Sequence, residues 1–189
     1  MPRAARMQRP SPGLARDPYP RSRSRRPWVA VRWQEAIARW RGQYVREMPS
    51  LAQDRSEVFV VLNRYAEAAD RRDWSLYDHV FTVDATADYG VSKLTGREAI
   101  VKLIRKNLAG CGPTQHLLGN HTAQVDGDEA HGSCKVRAFG QGAGARSAET
   151  YEILGTYHHD LVRTAEGWRT RHLRMTVAIE LGTRDVLQP

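Results

Sequence analysis

A histidine and an aspartate, far apart in this chain, are the residues whose types could move a proton. His116 stands in Thr114-Gln-His-Leu-Leu-Gly-Asn120. That stretch alternates as a strand does and would set Thr114, His116, Leu118 and Asn120 on one face. Asp70 stands in Tyr65-Ala-Glu-Ala-Ala-Asp70-Arg-Arg-Asp73-Trp74, at the end of an amphipathic helical stretch. If the two meet across a pocket, the carboxylate fixes the tautomer and steadies the imidazolium, while the imidazole takes a proton from carbon or oxygen. The alternative is a buried histidine satisfied by a structural carboxylate. Tyr65 and Tyr89 are the next candidates, since a phenol can polarise a carbonyl or protonate a leaving hydroxyl. Their alternative is ordinary core tyrosine with its hydroxyl hydrogen-bonded.

Arg171 alternates with Leu173, Met175, Val177 and Ile179, which points it with the apolar side. A charge there needs a partner or a bound anionic group, unless the side chain snorkels to water. Asn120, Thr156 and His158 are candidate polar groups of the same pocket. His158 and His159 are adjacent, and adjacent strand residues face opposite ways, so they cannot easily share an ion. His121 and His131 are expected on outer faces. No C-x-x-C, H-E-x-x-H or nucleotide-binding motif occurs, so the sequence implies neither a metal nor a cofactor.

The elements that must position these groups can be read from periodicity. Val58, Val61, Leu62, Tyr65 and Ala69 follow helical spacing and predict a helix over 54–70, with Asp70 flanking its apolar face. Asp73 can cap a short second helix over 74–81. Ala85, Ala87, Tyr89 and Val91 alternate as the inner face of a strand. Thr95-Gly-Arg-Glu98 has the form of a capping box and opens a third helix to about Leu108. Gly110, Gly112 and Pro113 end it. From 114 onward the pattern is β, with turns at Asp126-Gly127 and Glu166-Gly167. A Gly/Ala/Ser loop is expected over 140–148, with long strands over 149–164 and 168–181. Helices first and a curved antiparallel sheet afterwards make an α+β fold.

The chain has 189 residues, a formal net charge of +8 and a pI near 9.9. The charge is uneven. Residues 1–50 hold 12 Arg, no Lys and 3 acidic residues, which leaves 17 basic and 18 acidic residues in 51–189. The expected organisation is therefore a basic leader over 1–50, disordered by composition, and one nearly neutral domain over 51–189. The leader could be a nucleic-acid arm or an extension that the domain does not need. The domain itself carries no aromatic–basic pattern for nucleic acid. No apolar run approaches the length of a membrane span, and two cysteines make no disulfide framework, so a reducing cytoplasm is the simplest setting.

The domain resembles SnoaL-like proteins of the nuclear transport factor 2-like superfamily. The resemblance rests on Arg64-Tyr65-Ala66 with Asp70 and Asp73-Trp74, on Asp84-Ala with Asp88-Tyr89-Gly90, and on Thr95-Gly96-Arg97. It continues through Pro113-Thr-Gln-His116 with Asn120, Val125-Asp-Gly-Asp128, Gly155-x-Tyr157 and Gly167-Trp168-Arg169, in order, over about residues 52–182. It implies a cone: N-terminal helices packed on a strongly curved antiparallel sheet, around an apolar pocket. In the dehydratase branch, with scytalone dehydratase and bile-acid dehydratase, it implies an Asp–His pair at Asp70 and His116. There it also matches tyrosines to Tyr65 and Tyr89 and places a functional arginine near Arg171. Two departures count against scytalone as substrate. The tyrosine expected before the aspartate is Ala69, and a second pocket histidine falls at or near Gly140.

The leading expectation is a cofactor-independent lyase or isomerase, dehydratase-like, working on an apolar small molecule by His–Asp acid–base chemistry in a closed pocket. Polyketide cyclisation belongs to the same chemistry. The rival is a non-catalytic ligand-binding or assembly module on the same fold. A homodimer or homotrimer is expected, because the 149–163 strand is apolar on both sides: Tyr151, Ile153, Tyr157 and Leu161 on one, Leu154 and Val162 on the other.

Overall fold

The computed structural model of the chain describes residues 51–188. The leader expected over 1–50 lies outside them. Helix α1 covers 51–71. Val58, Val61, Leu62, Tyr65, Ala68 and Ala69, at i, i+3, i+4, i+7 spacing, form its buried face. That face lies against β4 (Glu129–Gly142) at Gly132. A Cβ on Gly132 would come within 2.9 Å of Val58 Cγ1 and 3.2 Å of Leu62 Cδ1, so glycine there lets the helix settle onto the sheet. The Asp54–Arg163 ion pair, 2.9 Å, ties the start of α1 to β5 (Thr150–Thr164).

After α1 comes a 3₁₀ turn, Trp74–His79, where a short helix was expected. Asp73 precedes it, and its carbonyl accepts from Leu76 N–H at 3.2 Å, but its side chain makes no capping hydrogen bond. Next are β1 (Phe81–Asp88), β2 (Lys93–Thr95) and α2 (Arg97–Asn107). The expected capping box at Thr95 does not form: Thr95 ends β2, and Gly96, at φ +90°, is the N-cap with no side-chain bond. A glycine enters that left-handed conformation without steric penalty. Val91, expected on the inner face, is 82% exposed in the loop after β1.

The remaining strands are β3 (Cys111–Asp126), β4, β5 and β6 (Gly167–Gly182). They form a meander of antiparallel pairs in a six-stranded sheet of order β2-β1-β6-β5-β4-β3. One junction corrects the expected antiparallel sheet. β1 runs parallel to β6, so the sheet is mixed. It is also open rather than a closed barrel, with β2 and β3 as its edges. The architecture is α+β, helices packed on a curved sheet, as the cone requires. A 3₁₀ turn at Arg184–Leu187 follows β6, and Val186 in it is fully buried. Among the described residues, no helix is long and apolar enough to cross a membrane.

Candidate active site

Asp70 and His116 meet. Asp70 lies in the last turn of α1 and His116 on the inner face of β3, 46 residues on. His116 Nδ1 is 2.6 Å from Asp70 Oδ1. The backbone N–H of His116 donates to Oδ2 at 2.7 Å, and the Thr114 hydroxyl donates to Oδ1 at 2.9 Å. Burial pushes the Asp70 carboxyl upward, but the His116 ring and backbone and the Thr114 hydroxyl outweigh it. The carboxyl is held below its ordinary value. An ionised Asp70 can only accept, so it fixes the proton of the ring on Nδ1. Nε2 then carries the free lone pair.

His116 lines a cavity of about 530 Å³ between the helices and the concave face of the sheet, and Asp70 stands behind it. Tyr65 and Tyr89 line the same cavity, with hydroxyls 3.1 Å apart. Burial raises the Tyr65 phenol to about 12, against hydrogen bonds from Tyr89 and Tyr157 that pull it down. Burial also carries Tyr89 well above the ordinary phenol value. Both stay neutral near pH 7 and can donate O–H. The cavity floor comes from two cross-strand rows, each with a small residue, Ala138 or Gly140, at its β4 position. His116 pairs with Ala138, Ala138 with Ile153, and Ile153 with Glu180; Thr114 pairs with Gly140 and Gly140 with Tyr151. Among the described residues, the pocket is open on one side, where a closed one was expected. Gly90, Val91 and Arg184 border it and are exposed, so it reaches solvent along that rim.

Four candidates lie away from it. Arg171 is about half exposed and pairs with Glu129 at 3.2 Å. Its alternation with Leu173 fails because of a bulge: Asp160 faces His172 but Leu161 faces Thr170, which leaves Arg171 as the extra residue. Thr170 and Trp168 point inward before the bulge, Leu173 and Met175 after it. Asn120 is displaced by a second bulge, between Gly119 and Thr122, and takes φ +51° on the exposed side. Thr156 accepts from Lys135 on the outer face, and His158 shares an outer groove with His131, His172 and Arg174. The inward residues beside them on β5 are Tyr157 and His159, 2% and 1% exposed. Tyr157 lines the cavity and meets Tyr65 edge-on, ring centroids 5.0 Å apart. It had no site role in the sequence reading, although the Gly155-x-Tyr157 match marks it. His121, expected outside, meets Phe59 of α1 at a tilt, ring centroids 5.3 Å apart, and bonds Asn63.

The SnoaL-like domain model matches residues 50–174. The chain belongs to the SnoaL-like family. Its relatives include an uncharacterized protein of Mycobacterium tuberculosis, 36% identical over 129 residues, 66% of this chain and 86% of that one. Among solved structures, this SnoaL-like domain is similar to a scytalone dehydratase-like protein of Novosphingobium aromaticivorans. That pair shares 17% identity at a TM-score of 0.65 over 72% of this chain and 91% of the other. A hexachlorocyclohexane dehydrochlorinase of Novosphingobium barchaimii matches at 16% identity and a TM-score of 0.63, over 72% and 94%. At such identities the likeness is one of fold, which is the nuclear transport factor 2-like cone.

Proposed function

We propose that this protein is a cofactor-independent lyase or isomerase, dehydratase-like, acting on a largely apolar small molecule of steroid or polyketide type. One observation carries the reading. His116 is oriented by Asp70 at 2.6 Å and shares a cavity with two neutral phenols. The volume, about 530 Å³, falls among small-molecule sites. His116 Nε2 takes a proton from the carbon beside a carbonyl, and that electron pair moves onto the carbonyl oxygen. The Tyr65 and Tyr89 hydroxyls hydrogen-bond the enolate as it forms. Collapse of the enolate then expels a leaving group from the next carbon, with the imidazolium or a phenol supplying its proton. Return of the proton at another carbon gives isomerisation instead, and attack on a second carbonyl gives ring closure.

The test uses a panel of polycyclic ketones in D2O, with mass-spectrometric readout, on the wild-type protein and His116→Ala. Solvent deuterium or loss of water from at least one ketone is expected with wild type only. Ketones that bind tightly and are left unlabelled by wild type would identify a binding module instead.

A second copy of this chain is the partner we propose, on the outer face of the sheet. There Leu117, Arg137, Leu154 and Ile179 make one row across four strands, with Phe139, Glu152 and Leu181 in the next. Leu117, Ile179 and Leu181 are each about half exposed, around the Arg137–Glu152 ion pair. Apolar side chains gathered this way mark an association surface. Light scattering at micromolar concentration should give a dimer or trimer, and Ile179→Arg should dissociate it. A monomer mass for the wild-type chain would refute this. Both cysteines are free thiols, which fits a reducing cytoplasm.

A further inference from the structure

We propose that Arg72 and Thr114 are positioning residues of the Asp70–His116 pair: Arg72 clamps the end of α1 to the start of β3 and, through Thr114, directs a hydroxyl proton onto Asp70. Asp70 and His116 sit on different elements, and something must hold these in register to a few tenths of an ångström. Arg72 is the first residue after α1. It has φ +57°, a left-handed conformation that glycine adopts far more easily than arginine. Its backbone N–H closes the helix on Ala69 O at 3.3 Å. Its guanidinium then turns back. Nη1 donates to Ala69 O at 2.5 Å and to Thr114 Oγ1 at 2.8 Å, and Nη2 donates to Gly112 O at 3.1 Å.

The donor–acceptor count fixes the direction of every proton. A guanidinium has no acceptor, so Thr114 Oγ1 must accept from Arg72. Its own proton is then free for Asp70 Oδ1, 2.9 Å away. Asp70 therefore receives three donors: the Thr114 hydroxyl, the His116 ring and the His116 backbone. Each added donor spreads the carboxylate charge and makes Asp70 a weaker base toward His116. The brace thus sets both the place of the imidazole and how strongly Asp70 holds its proton. The other titratable groups around it are Tyr65, Tyr77, Tyr89 and Cys111. Burial raises all four above their ordinary values, so they stay neutral near pH 7.

The test follows the His116 ring by NMR through a pH titration of the full chain, without substrate. Thr114→Val keeps the shape and removes the hydroxyl. The titration midpoint of the His116 ring should rise by roughly half to one pH unit, because Asp70 loses a donor and binds the imidazolium more tightly. Thr114→Ser should stay within about 0.2 unit of wild type. Arg72→Gln should move the midpoint upward as well, and Arg72→Lys, which keeps the charge but loses the fork, should fall between. Melting temperature can drop in any of them and decides nothing. Folded Thr114→Val and Arg72→Gln proteins with an unmoved midpoint would reduce the brace to a structural contact and overturn the proposal. If Thr114→Val does not fold, Arg72→Gln decides alone. The catalytic meaning of the brace rests on the proton-transfer reading above, but the NMR readout does not. A shifted midpoint in a protein that turns nothing over would sink that reading and keep the brace; an unmoved midpoint in an active enzyme would do the reverse.

Discussion

His116→Ala is expected to lower kcat by about a thousandfold on any substrate found, because among the described residues the one carboxylate lining the cavity, Glu180, is already bound by Arg184 and Tyr151 at its rim. The remaining groups of the cavity give the reason. Tyr65 and Tyr89 are held neutral and can donate but not abstract. Asp70 stands behind the ring and does not line the cavity. Asp70→Asn should cost less, about a hundredfold. Its carboxamide must place an NH2 where the carboxylate has an acceptor. Against the His116 backbone N–H, donor meets donor with no escape. Against the ring, the imidazole can answer by moving its proton to Nε2, the nitrogen that should be the base. Most molecules would then hold the wrong tautomer in the right place. The double variant should be barely worse than His116→Ala, since Asp70 acts only through the ring. Multiplying losses would show that the two residues act separately, and the dyad reading would fall.

How much of this was legible in the sequence depends on the element. The apolar stripe of α1 needed only helical spacing: Val58, Val61, Leu62, Tyr65 and Ala69 are all buried, with Ala66 and Ala68 buried beside them. The pairing of Asp70 with His116 needed more, since two residues 46 apart share no local signal. The family resemblance supplied it. Arg171 and Asn120 show where strand periodicity stops being informative. Each follows an alternation that holds on one side of a bulge and inverts on the other, and nothing in the local composition announces the extra residue. Thr156 and His158 failed differently. β5 is mixed on both faces, so polarity nominated the outward residues while Tyr157 and His159 faced the core. Arg72 was hidden because its role lies in a backbone turn that arginine seldom makes. The parallel β1–β6 pair was hidden because it joins the first strand to the last, across the whole domain.

His159 should make the domain sensitive to mild acid. It lies on the inner face of β5, 1% exposed, between the rings of Tyr65 and Tyr157 at 5.9 and 6.3 Å. Its Nδ1 meets Thr170 Oγ1 at 2.9 Å, and Nε2 has no hydrogen-bond partner among the described residues. Burial lowers its titration to about 3, with the nearby Asp160 charge opposing only weakly. An unfolded chain protonates this histidine near 6.5. Between those values the unfolded state binds a proton that the native state refuses, so stability rises with pH across that window and falls on acidification. The slope is about 1.4 kcal/mol per pH unit. Going from pH 7 to pH 5 should therefore cost about 2 kcal/mol through this residue alone, a large share of the roughly 5–15 kcal/mol that holds a domain. His121 and His158 are lowered by burial too and add in the same direction, more weakly. The lowered carboxyl of Asp70 acts in another window. Its contribution is complete above about pH 4 and fades only as the pH falls through its folded value. Urea unfolding of wild type and His159→Gln at pH 7, 6 and 5 separates these terms. Whatever constant separates the two proteins at pH 7, wild type should lose about 2 kcal/mol more by pH 5. Parallel losses would mean that His159 takes up its proton in the native state, with water or movement of β5 reaching a ring that the packing here keeps dry.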